Sequence, residues 1–468
     1  MPYVFYDTET TGVETAFDQI LQFAAIYTDD DFVEIERLEV RSRLLPYMVA
    51  SPGACKVNGV SIAQLNDTGL PSHYGMMRTI QDKLEGWSPA TFMGYNSIKF
   101  DENIFRQALY QTLHSPYLTN SGGNCRSDVM RMVYATAVFS PDALVLPINE
   151  KGRPSYKLDR LAPANGFTQH NAHDALGDVE ATIFICRLIA ERAPRVWTSF
   201  RKFSRKATAE RFMVREPIWW LTEIYGGRPY SWLVSGFGRN PDNPSEICVV
   251  DLAYDPDEFA SMDDVDLAVR LAKSPKPIRW VKTNACPIIM PWQDAPVAHA
   301  ASSIDPAEVV RRSDRYRKDR SLAERLIAAQ VASRTIYPPP EHVEQQIYNG
   351  FFTPEDQELM AEFHETSWDR RLEISRRFVD VRLQKLALRL IFVEQPEVLP
   401  PQVQDEQHQE IASRLLSVEE DVPWLTLTKA IAQTDEMMVD ADEVSIEFLA
   451  SYKNYLTERF NGLLGIAR

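Results

Sequence analysis

The chain has 468 residues, of which 44% are hydrophobic and 25% are charged, and its formal net charge at pH 7 is −16. This length predicts two to four domains, and the composition excludes a fibrous or disordered protein. No apolar run reaches about 18 residues, and no basic segment precedes an apolar core at the start, so we expect neither a membrane span nor a signal peptide and predict a cytoplasmic location. The five cysteines are widely spaced without a C-x-x-C pair, which predicts neither a disulfide framework nor a zinc site.

The negative net charge argues at first against a nucleic-acid partner, because phosphate binding depends on lysine and arginine. Positive charge is nevertheless concentrated in two stretches, residues 200–215 and 311–320, and most of the excess negative charge follows Thr353. Such runs are usually solvated helix faces. Two of them in an acidic chain are also compatible with a local track for phosphates.

The first predicted element is an apolar stretch at residues 3–12 (YVFYDTETTG) that carries two carboxylates. Side chains alternate along a strand, so Asp7 and Glu9 are predicted to point to the same side. Two carboxylates this close resist simultaneous ionisation unless a cation neutralises them, and Mg²⁺ or Mn²⁺ is the usual one. A D-x-E pair alone is more often a solvated strand end, so its interpretation depends on the rest of the chain.

The pattern that follows predicts an α/β unit. Strands are predicted at 19–28, 32–44 and 90–95, and helices at 73–87, 102–113, 127–139, 157–162 and 183–192. Asp101 lies where a strand gives way to a helix, a typical place for a functional side chain. His173 lies at the entry of the last of these helices and Asp178 lies more than one turn further along, among apolar residues that indicate an inward-facing turn.

The second half of the chain has a different pattern. Short strands broken by glycine and proline, at 230–234, 247–252, 278–282 and 287–290, indicate a small barrel with helical insertions. A basic helix is predicted over 305–331, and amphipathic segments at 354–364, 368–392, 407–416, 424–435 and 445–460 predict an acidic helical domain. We therefore predict domains at 1–195, 196–352 and 353–468.

Four carboxylates and one histidine occur in a fixed order: Asp7, Glu9, Asp101, His173 and Asp178. This order resembles that of the DEDD exonucleases with a catalytic histidine. More specific motifs are GYN at 94–96 leading to FDE at 100–102, PSYKL at 154–158, ANG at 164–166, NAHDA at 171–175 and QIYNGFF at 346–352. Together these motifs resemble the bacterial exodeoxyribonuclease I family over essentially the whole chain.

The resemblance implies an α/β ribonuclease-H-like exonuclease domain, an SH3-like small barrel with helical insertions and an all-α C-terminal domain, which close over the substrate. It implies processive 3′-to-5′ hydrolysis of single-stranded DNA to 5′-mononucleotides, in DNA repair or recombination. Asp7, Glu9 and Asp178 would hold one Mg²⁺, and Asp7 with Asp101 a second, with Mn²⁺ as a substitute. His173 would take the proton from the attacking water, a role that suits a pKa near neutrality.

Substrate contacts are also implied by the resemblance. The residues concerned are Glu9 and Thr10 near the terminal nucleotide, and Arg106, Tyr117, Arg131 and Lys157 along the DNA. Related sequences carry arginine at the position of Lys157, so the cation is retained here but the bidentate geometry of arginine is not. Residues 200–215 and the aromatic residues Tyr225, Tyr230 and Trp232 are further candidates for neutralising the backbone and stacking on bases.

The expected partners are single-stranded DNA and the acidic C-terminal tail of single-strand DNA-binding protein, for which residues 311–320 are a speculative dock. No membrane partner is expected, and we expect a monomer. Two alternatives stay open: an exonuclease that acts mainly on RNA or short oligonucleotides, and a non-catalytic scaffold that binds nucleic acid. The large C-terminal region argues against the first, and the presence of all five chemical residues argues against the second.

Overall fold

The computed structural model describes residues 1–168, 174–294, 304–335 and 337–464. Its first part contains a sheet of five strands, β1 (Tyr3–Thr10), β2 (Ile20–Thr28), β3 (Glu34–Arg41), β4 (Thr91–Gly94) and β5 (Cys125–Asp128). The spatial order is β3-β2-β1-β4-β5, in which β1, β4 and β5 run parallel while β2 and β3 pair antiparallel. The central position of β1 explains why its sequence is apolar on both faces.

Helices cover both faces of this sheet. They are α1 (Pro52–Asn58), α2 (Ile62–Leu65), α3 (His73–Gly86), α4 (Asp101–Gln111), α5 (Val129–Phe139), α6 (Leu158–Ala164), α7 (Ala175–Arg192), α8 (Pro194–Phe203) and α9 (Lys206–Arg215). Val4 and Tyr6 pack on the side of α3 and α4, whereas Tyr3 and Phe5 pack on the side of α5 and α7. The alternation of β1 therefore serves two separate cores.

The second part contains an antiparallel sheet of five strands with helical insertions, in the region where the sequence pattern predicts a small barrel. Its strands are β6 (Trp219–Tyr225), β7 (Arg228–Arg239), β8 (Glu246–Asp251), β9 (Ile278–Lys282) and β10 (Ile288–Pro291), in the order β10-β6-β7-β8-β9. Helices α10 (Pro256–Ala260) and α11 (Asp264–Ala272) lie between β8 and β9, and α12 (Pro306–Lys318) and α13 (Arg320–Ala332) follow β10. Strand β6 was not predicted, because its two tryptophans and its acid interrupt the expected alternation.

The single helix predicted over 305–331 is wrong, since two helices meet at Asp319. The carboxylate of Asp319 accepts a hydrogen bond of 3.0 Å from the backbone N–H of Leu322 and so caps α13. Aspartate is a strong N-cap because its side chain satisfies a backbone donor that has no partner within the helix. In a run of charged residues without glycine or proline, such a cap looks like one more helical residue.

The third part is helical, as predicted. Its helices are α14 (Pro354–Glu365), α15 (Trp368–Arg377), α16 (Val381–Glu394), α17 (Pro401–Leu416), α18 (Leu427–Val439) and α19 (Glu443–Leu464). The predicted helix over 368–392 is two helices, because Asp356 accepts hydrogen bonds from the backbone N–H groups of Val379 (2.8 Å) and Asp380 (3.1 Å) at the break. Asp356 is far from this break in the sequence, so a local sequence pattern could not have predicted the break.

The helical part packs back onto the first part. The Tyr452 hydroxyl donates to the carbonyl oxygen of Ala50 at 2.6 Å, and Tyr110 shares a buried apolar cluster with Phe363. All five cysteines are buried and free of disulfide bonds, in agreement with the sequence analysis. Within the ranges that the structure describes, no helix has the length and apolar character needed to cross a membrane.

Candidate active site

Three carboxylates converge where the second half of β1 meets the first turn of α7. Asp7 and Glu9 lie on β1 and Asp178 on α7, and one carboxylate oxygen of each lies within 4.8 Å of the others. The turn that carries Asp178 is held against the sheet by the buried side chains of Ala175 and Val179. The fold thus brings Asp178 next to Asp7 and Glu9, from which it is widely separated in the chain.

The three carboxylates destabilise one another's ionised forms. Burial, and then the charges of Asp101 and Asp178, raise the pKa of Asp7 well above its usual value. Burial and the same two neighbours raise the pKa of Glu9 to about 8. A divalent cation removes this repulsion, and carboxylate oxygens are the ligands that hard divalent ions prefer. The donor set therefore fits a divalent metal ion.

Asp101, the fourth predicted carboxylate, lies beside these three at the first residue of α4. It is buried, and its Oδ1 accepts a hydrogen bond of 2.7 Å from the Thr8 hydroxyl. Burial raises the pKa of Asp101 to about 7, and the bond from Thr8 acts against that rise. Asp101 lies outside the 4.8 Å group, but its charge is the strongest neighbouring charge acting on Asp7. Thr8, which holds the Asp101 carboxylate, was not predicted.

The predicted general base, His173, lies outside the described residues. The structure resumes at Asp174, whose Oδ1 accepts hydrogen bonds from Gln22 Nε2 at 3.0 Å and Arg41 Nη2 at 3.3 Å. These bonds tie the beginning of α7 to β2 and β3. No signal in the sequence predicts them, because the partners belong to separate elements.

Glu102 is the centre of a buried polar network next to the carboxylate site. Its side chain accepts hydrogen bonds from Arg126 (2.6 Å), Thr119 (2.6 Å), Arg106 (2.8 Å) and the hydroxyl of Tyr6 (2.9 Å). Burial opposes ionisation of Glu102, but the two arginines outweigh it and lower its pKa. Glu102 and Arg106 are spaced i,i+4 on one helix, so their pairing could have been recognised in the sequence. The pairing of Glu102 with Arg126 could not, because the two residues lie on separate elements.

Aromatic side chains lie around Arg106, of which Tyr348 and Phe351 are exposed and Tyr117 is half-buried. The guanidinium of Arg106 lies 5.4 Å from the ring centroid of Tyr117, and its Nη1 donates to the Tyr348 hydroxyl at 3.3 Å. The ring of Phe351 lies 5.8 Å from that of Tyr117, and 85% of Phe351 is exposed. Exposed rings suit a nucleic-acid strand, which offers stacking faces, whereas the Arg106 guanidinium is 11% exposed and already paired with Glu102. Two predicted contacts, Arg106 and Tyr117, therefore lie together.

The other predicted contacts are more scattered. Thr10 is buried at the end of β1, and its hydroxyl donates to the carbonyl oxygen of Gly12 at 2.7 Å. Lys157 is exposed immediately before α6. Arg131 donates through Nη1 to the carbonyl oxygen of Cys286 at 3.1 Å, so this side chain helps to join the first part to the β9–β10 loop.

Tyr225, Tyr230 and Trp232 form one aromatic cluster on β6 and β7. Their ring centroids lie 6.1 to 6.4 Å apart, and the Arg279 guanidinium lies 3.7 Å from the Trp232 ring. Tyr225 and Tyr230 are exposed. The cluster therefore presents the rings of Tyr225 and Tyr230 to solvent, as base stacking requires, whereas the Arg279 side chain is only 9% exposed and pairs with Glu223 at 3.3 Å.

The basic run at 311–320 is largely paired within the chain. Arg311 binds Asp255 at 2.9 Å and Glu308 at 2.8 Å, and Arg317 donates to the carbonyl oxygen of Val214 at 3.1 Å. A cation that already has a partner has less to offer to an acidic peptide. The run therefore acts mainly as a brace that joins α12 to the residue before α10 and to the end of α9.

Comparison with known proteins identifies the family. Residues 4–186 match the family model described as Exonuclease, and residues 341–459 match that of the Exonuclease I C-terminal domain. Exodeoxyribonuclease I of Escherichia coli strain K12 is 27% identical over 412 residues, covering 82% of this chain and 83% of that protein. The protein of the same name from Haemophilus influenzae is 27% identical over 402 residues, covering 82% and 84%.

The chain belongs to the exodeoxyribonuclease I family. Exonuclease I from Methylocaldum szegediense has the same fold, with a TM-score of 0.85 and 25% identity over 98% of this chain and 99% of that one. E. coli Exonuclease I in complex with a dA16 oligonucleotide matches with a TM-score of 0.85 and 24% identity, over the same shares of the two chains. The predicted exodeoxyribonuclease I fold, with an α/β ribonuclease-H-like first part and a helical C-terminal part, is thereby confirmed.

Proposed function

We propose that this protein is a 3′-to-5′ exonuclease that hydrolyses single-stranded DNA and releases 5′-mononucleotides. The observation that carries the proposal is the convergence of Asp7, Glu9 and Asp178, with Asp101 beside them. Support also comes from relatives named exodeoxyribonuclease I that align over most of the chain.

Mg²⁺ is the proposed metal, with Mn²⁺ as a substitute. Asp7, Glu9 and Asp178 would hold one ion, and Asp7 with Asp101 a second. When bound, such ions supply an activated water and neutralise charge that develops on the phosphate. The raised pKa values of Asp7 and Glu9 support this assignment, because the bare carboxylates repel each other and a cation relieves the repulsion.

His173 is the proposed general base, which takes the proton from the attacking water at an imidazole nitrogen. The assignment rests on the NAHDA motif and on the spacing of His173 from Asp178. We expect His173→Ala to retain DNA binding while losing most of its turnover, measured by anisotropy and by product release. A variant with full turnover would remove His173 from the mechanism.

The strand is proposed to leave the carboxylates along the face formed by Arg106 and Tyr117, with Arg131 and Lys157 as further cations. Glu9 and the backbone of Thr10 would contact the terminal nucleotide. The second and third parts of the chain would then close over the strand and make the reaction processive, with domain limits at 1–195, 196–352 and 353–468. The exposed Tyr225 and Tyr230 rings support a strand path across the second sheet.

The test uses 5′-labelled single-stranded DNA, duplex DNA and RNA of one sequence, each with Mg²⁺ and with a chelator. We expect the single-stranded DNA alone to shorten stepwise from its 3′ end, and only with Mg²⁺. Equal degradation of RNA would favour the alternative of an RNA or oligonucleotide exonuclease, and binding without shortening would favour a non-catalytic scaffold.

An acidic C-terminal tail of single-strand DNA-binding protein is a further proposed partner; one solved structure with this fold is described as an SSB/Exonuclease I complex. The paired state of Arg311 and Arg317 argues against 311–320 as its dock. Calorimetry with a synthetic tail peptide tests this: unchanged affinity of an Arg311→Ala variant would exclude that location.

A further inference from the structure

Thr8 lies between the two carboxylates of β1, but its side chain is on the opposite face of the strand. Side chains alternate along a strand, so Asp7 and Glu9 share the face on which α7 packs, whereas Thr8 is on the face that α3 and α4 cover. Helix α4 begins on that side, at Asp101. One strand therefore supplies carboxylates on one face and a hydroxyl on the other.

Asp101 meets Thr8 beyond the end of β4. Residues 3–5 of β1 pair with residues 91–93 of β4, and β4 ends at Gly94. Further along β1, the Asp101 carboxylate accepts the hydrogen bond of 2.7 Å from the Thr8 hydroxyl. Both residues are only 6% exposed. Asp101 therefore lies against the part of β1 that β4 does not pair with.

The backbone on both sides of Asp101 is anchored independently of Thr8. Two N–H groups of the turn at 96–98 donate to the buried carboxylate of Asp128, each at 3.2 Å. The N–H group of Glu102 donates back to a carbonyl oxygen of the same turn at 2.8 Å. These bonds fix the path of the chain into α4, but they leave the rotation of the Asp101 side chain undetermined.

The Thr8 hydroxyl limits that rotation. Among the residues that the structure describes, it is the only side-chain group that donates a hydrogen bond to Asp101. Burial raises the pKa of Asp101, and hydrogen bonds from the hydroxyl and the backbone N–H of Thr8 act against that rise, so both groups face the carboxylate. Because a carboxylate is planar, holding Oδ1 also restricts the direction in which Oδ2 points.

Packing alone does not require a hydroxyl at position 8. Valine has nearly the shape of threonine and shares its preference for strands. A buried hydroxyl and a buried carboxylate are each costly, and the bond between them mainly offsets that cost. The bond between Thr8 and Asp101 therefore serves the orientation of the carboxylate more than the stability of the sheet.

We propose that Thr8 is a positioning residue of the exonuclease reaction, whose hydroxyl holds the Asp101 carboxylate in the orientation in which it shares a divalent ion with Asp7. The inference rests on the proposed function, because it takes Asp101 as a ligand of the second ion. It goes further by giving a role to a residue that would contact neither the ion nor the DNA. Replacing a residue that orients a metal ligand typically costs about 10- to 100-fold in metal affinity or activity.

Titration of the full chain with Mn²⁺ tests the proposal. Free Mn²⁺ is followed by electron paramagnetic resonance in the presence of 2′-deoxythymidine 5′-monophosphate, a product of the proposed reaction. The unmodified protein should bind two ions. Thr8→Val should keep its affinity for the first ion and lose about tenfold or more for the second, whereas Thr8→Ser, which keeps the hydroxyl, should retain both.

The titration separates failure of this inference from failure of the proposed function. Equal affinity for the second ion in Thr8→Val and in the unmodified protein would overturn the role of Thr8 alone. A single ion in the unmodified protein would overturn the proposed two-ion site, and this inference with it. A Thr8→Ser variant as impaired as Thr8→Val would assign the effect to packing of the methyl group and would also overturn the role of the hydroxyl.

Turnover gives a second readout. We expect Thr8→Val to lower kcat about tenfold or more while KM for single-stranded DNA stays within about twofold, because the hydroxyl acts on a metal ligand and not on the strand. A raised KM with unchanged kcat would mean that Thr8 acts on DNA binding and would overturn the proposal.

Thr91→Val is the matched control. Thr91 lies at the beginning of β4 in the same sheet, is also 6% exposed, and its hydroxyl is 3.4 Å from the sulfur of Cys125. Thermal unfolding in EDTA checks that each variant folds. Thr91→Val should bind both ions as the unmodified protein does, and an equal loss of the second ion in this variant would mean general loosening of the sheet and overturn the proposal.

The double variant Thr8→Val/Asp101→Asn shows whether Thr8 acts through Asp101. With Asp101 replaced, only the ion held by Asp7, Glu9 and Asp178 should remain, and adding Thr8→Val should leave its affinity unchanged. A further loss of affinity in the double variant would mean that Thr8 acts through the shape of β1, and would overturn its assignment as the residue that positions Asp101.

Discussion

Arg126 binds the buried carboxylate of Glu102 at 2.6 Å and also donates to the carbonyl oxygen of Asn284, in the β9–β10 loop, at 3.1 Å. One guanidinium thus joins the charge network beside the candidate active site to the second part of the chain. Arg106 shares the same carboxylate at 2.8 Å. Glu102 therefore neutralises two cations at once.

Replacing Glu102 should lower the free energy of unfolding more than replacing one of the arginines that bind it. Glu102→Gln leaves two arginines around a neutral amide, one of them buried, and we expect a loss of about 3–5 kcal/mol in the free energy of unfolding. Arg126→Met leaves Glu102 paired with Arg106, so we expect a smaller loss, about 1–3 kcal/mol. Urea unfolding of both variants measures the difference. A larger loss for Arg126→Met would contradict the assignment of Glu102 as the centre of the network.

Asp7→Asn should abolish cleavage and weaken Mn²⁺ binding at least about tenfold, or about 1.4 kcal/mol, because a central ligand loses its charge. The same change should raise stability in the absence of metal, since it removes repulsion among the buried carboxylates. Calorimetry with Mn²⁺ and thermal unfolding in EDTA measure the two effects.

Glu180→Gln is the matched control for that experiment. Glu180 lies on α7 near Asp178 but binds Arg37 at 3.2 Å on the exposed side. Both Mn²⁺ affinity and cleavage should stay at the level of the unmodified protein. If the control loses as much affinity as Asp7→Asn, the metal is bound by general negative charge and not by the cluster.

A pair of stacked histidines should make stability sensitive to mild acid. The rings of His114 and His364 lie 4.0 Å apart, and His364 bonds through Nε2 to the carbonyl oxygen of Leu113 and through Nδ1 to the Tyr74 hydroxyl. Burial lowers the pKa of His364 to about 4 and that of His114 well below its usual value. Arg371 and Arg78 also lower the pKa of His364, while the hydrogen bond to Leu113 and the charge of Asp82 act against the shift.

The folded protein thus holds both histidines neutral, whereas the unfolded chain binds protons near pH 6.5. Their contribution to stability is complete above pH 6.5 and is lost as the pH falls towards 4, by up to about 1.4 kcal/mol per pH unit for each histidine. Urea unfolding between pH 7 and 5 measures this slope. His114→Phe should flatten it, and an unchanged slope in that variant would show that other groups control acid sensitivity.

Phe351→Ala should weaken binding of single-stranded DNA by about 1–3 kcal/mol, the range found for loss of one base-stacking ring. Fluorescence anisotropy with a labelled oligonucleotide in EDTA measures the affinity without cleavage. Tyr337→Ala is the control, because Tyr337 is also a largely exposed ring but does not belong to the cluster around Arg106. Equal losses in both variants would argue against a specific strand path at Phe351.

Most elements of the first part follow from local patterns. The apolar runs of β1 and β2 and the helical periodicity of α3, α4 and α5 each depend on residues that are neighbours in the chain. Strand β5 escaped prediction because its four residues (CRSD) are mostly polar, although all are buried. It becomes a strand by pairing with β4, which no local signal reveals.

The sequence by itself determined the chemical identity of the site: an acidic pair at Asp7 and Glu9, a further acid after a strand and one on a helix, in an order typical of one nuclease family. Only the tertiary structure decided which groups meet, such as Thr8 with Asp101. The physical reason is the difference in the distance along the chain over which these interactions act. Alternation and periodicity act over a few residues, whereas charges interact through space, and sheet order and helix packing set the distances between them.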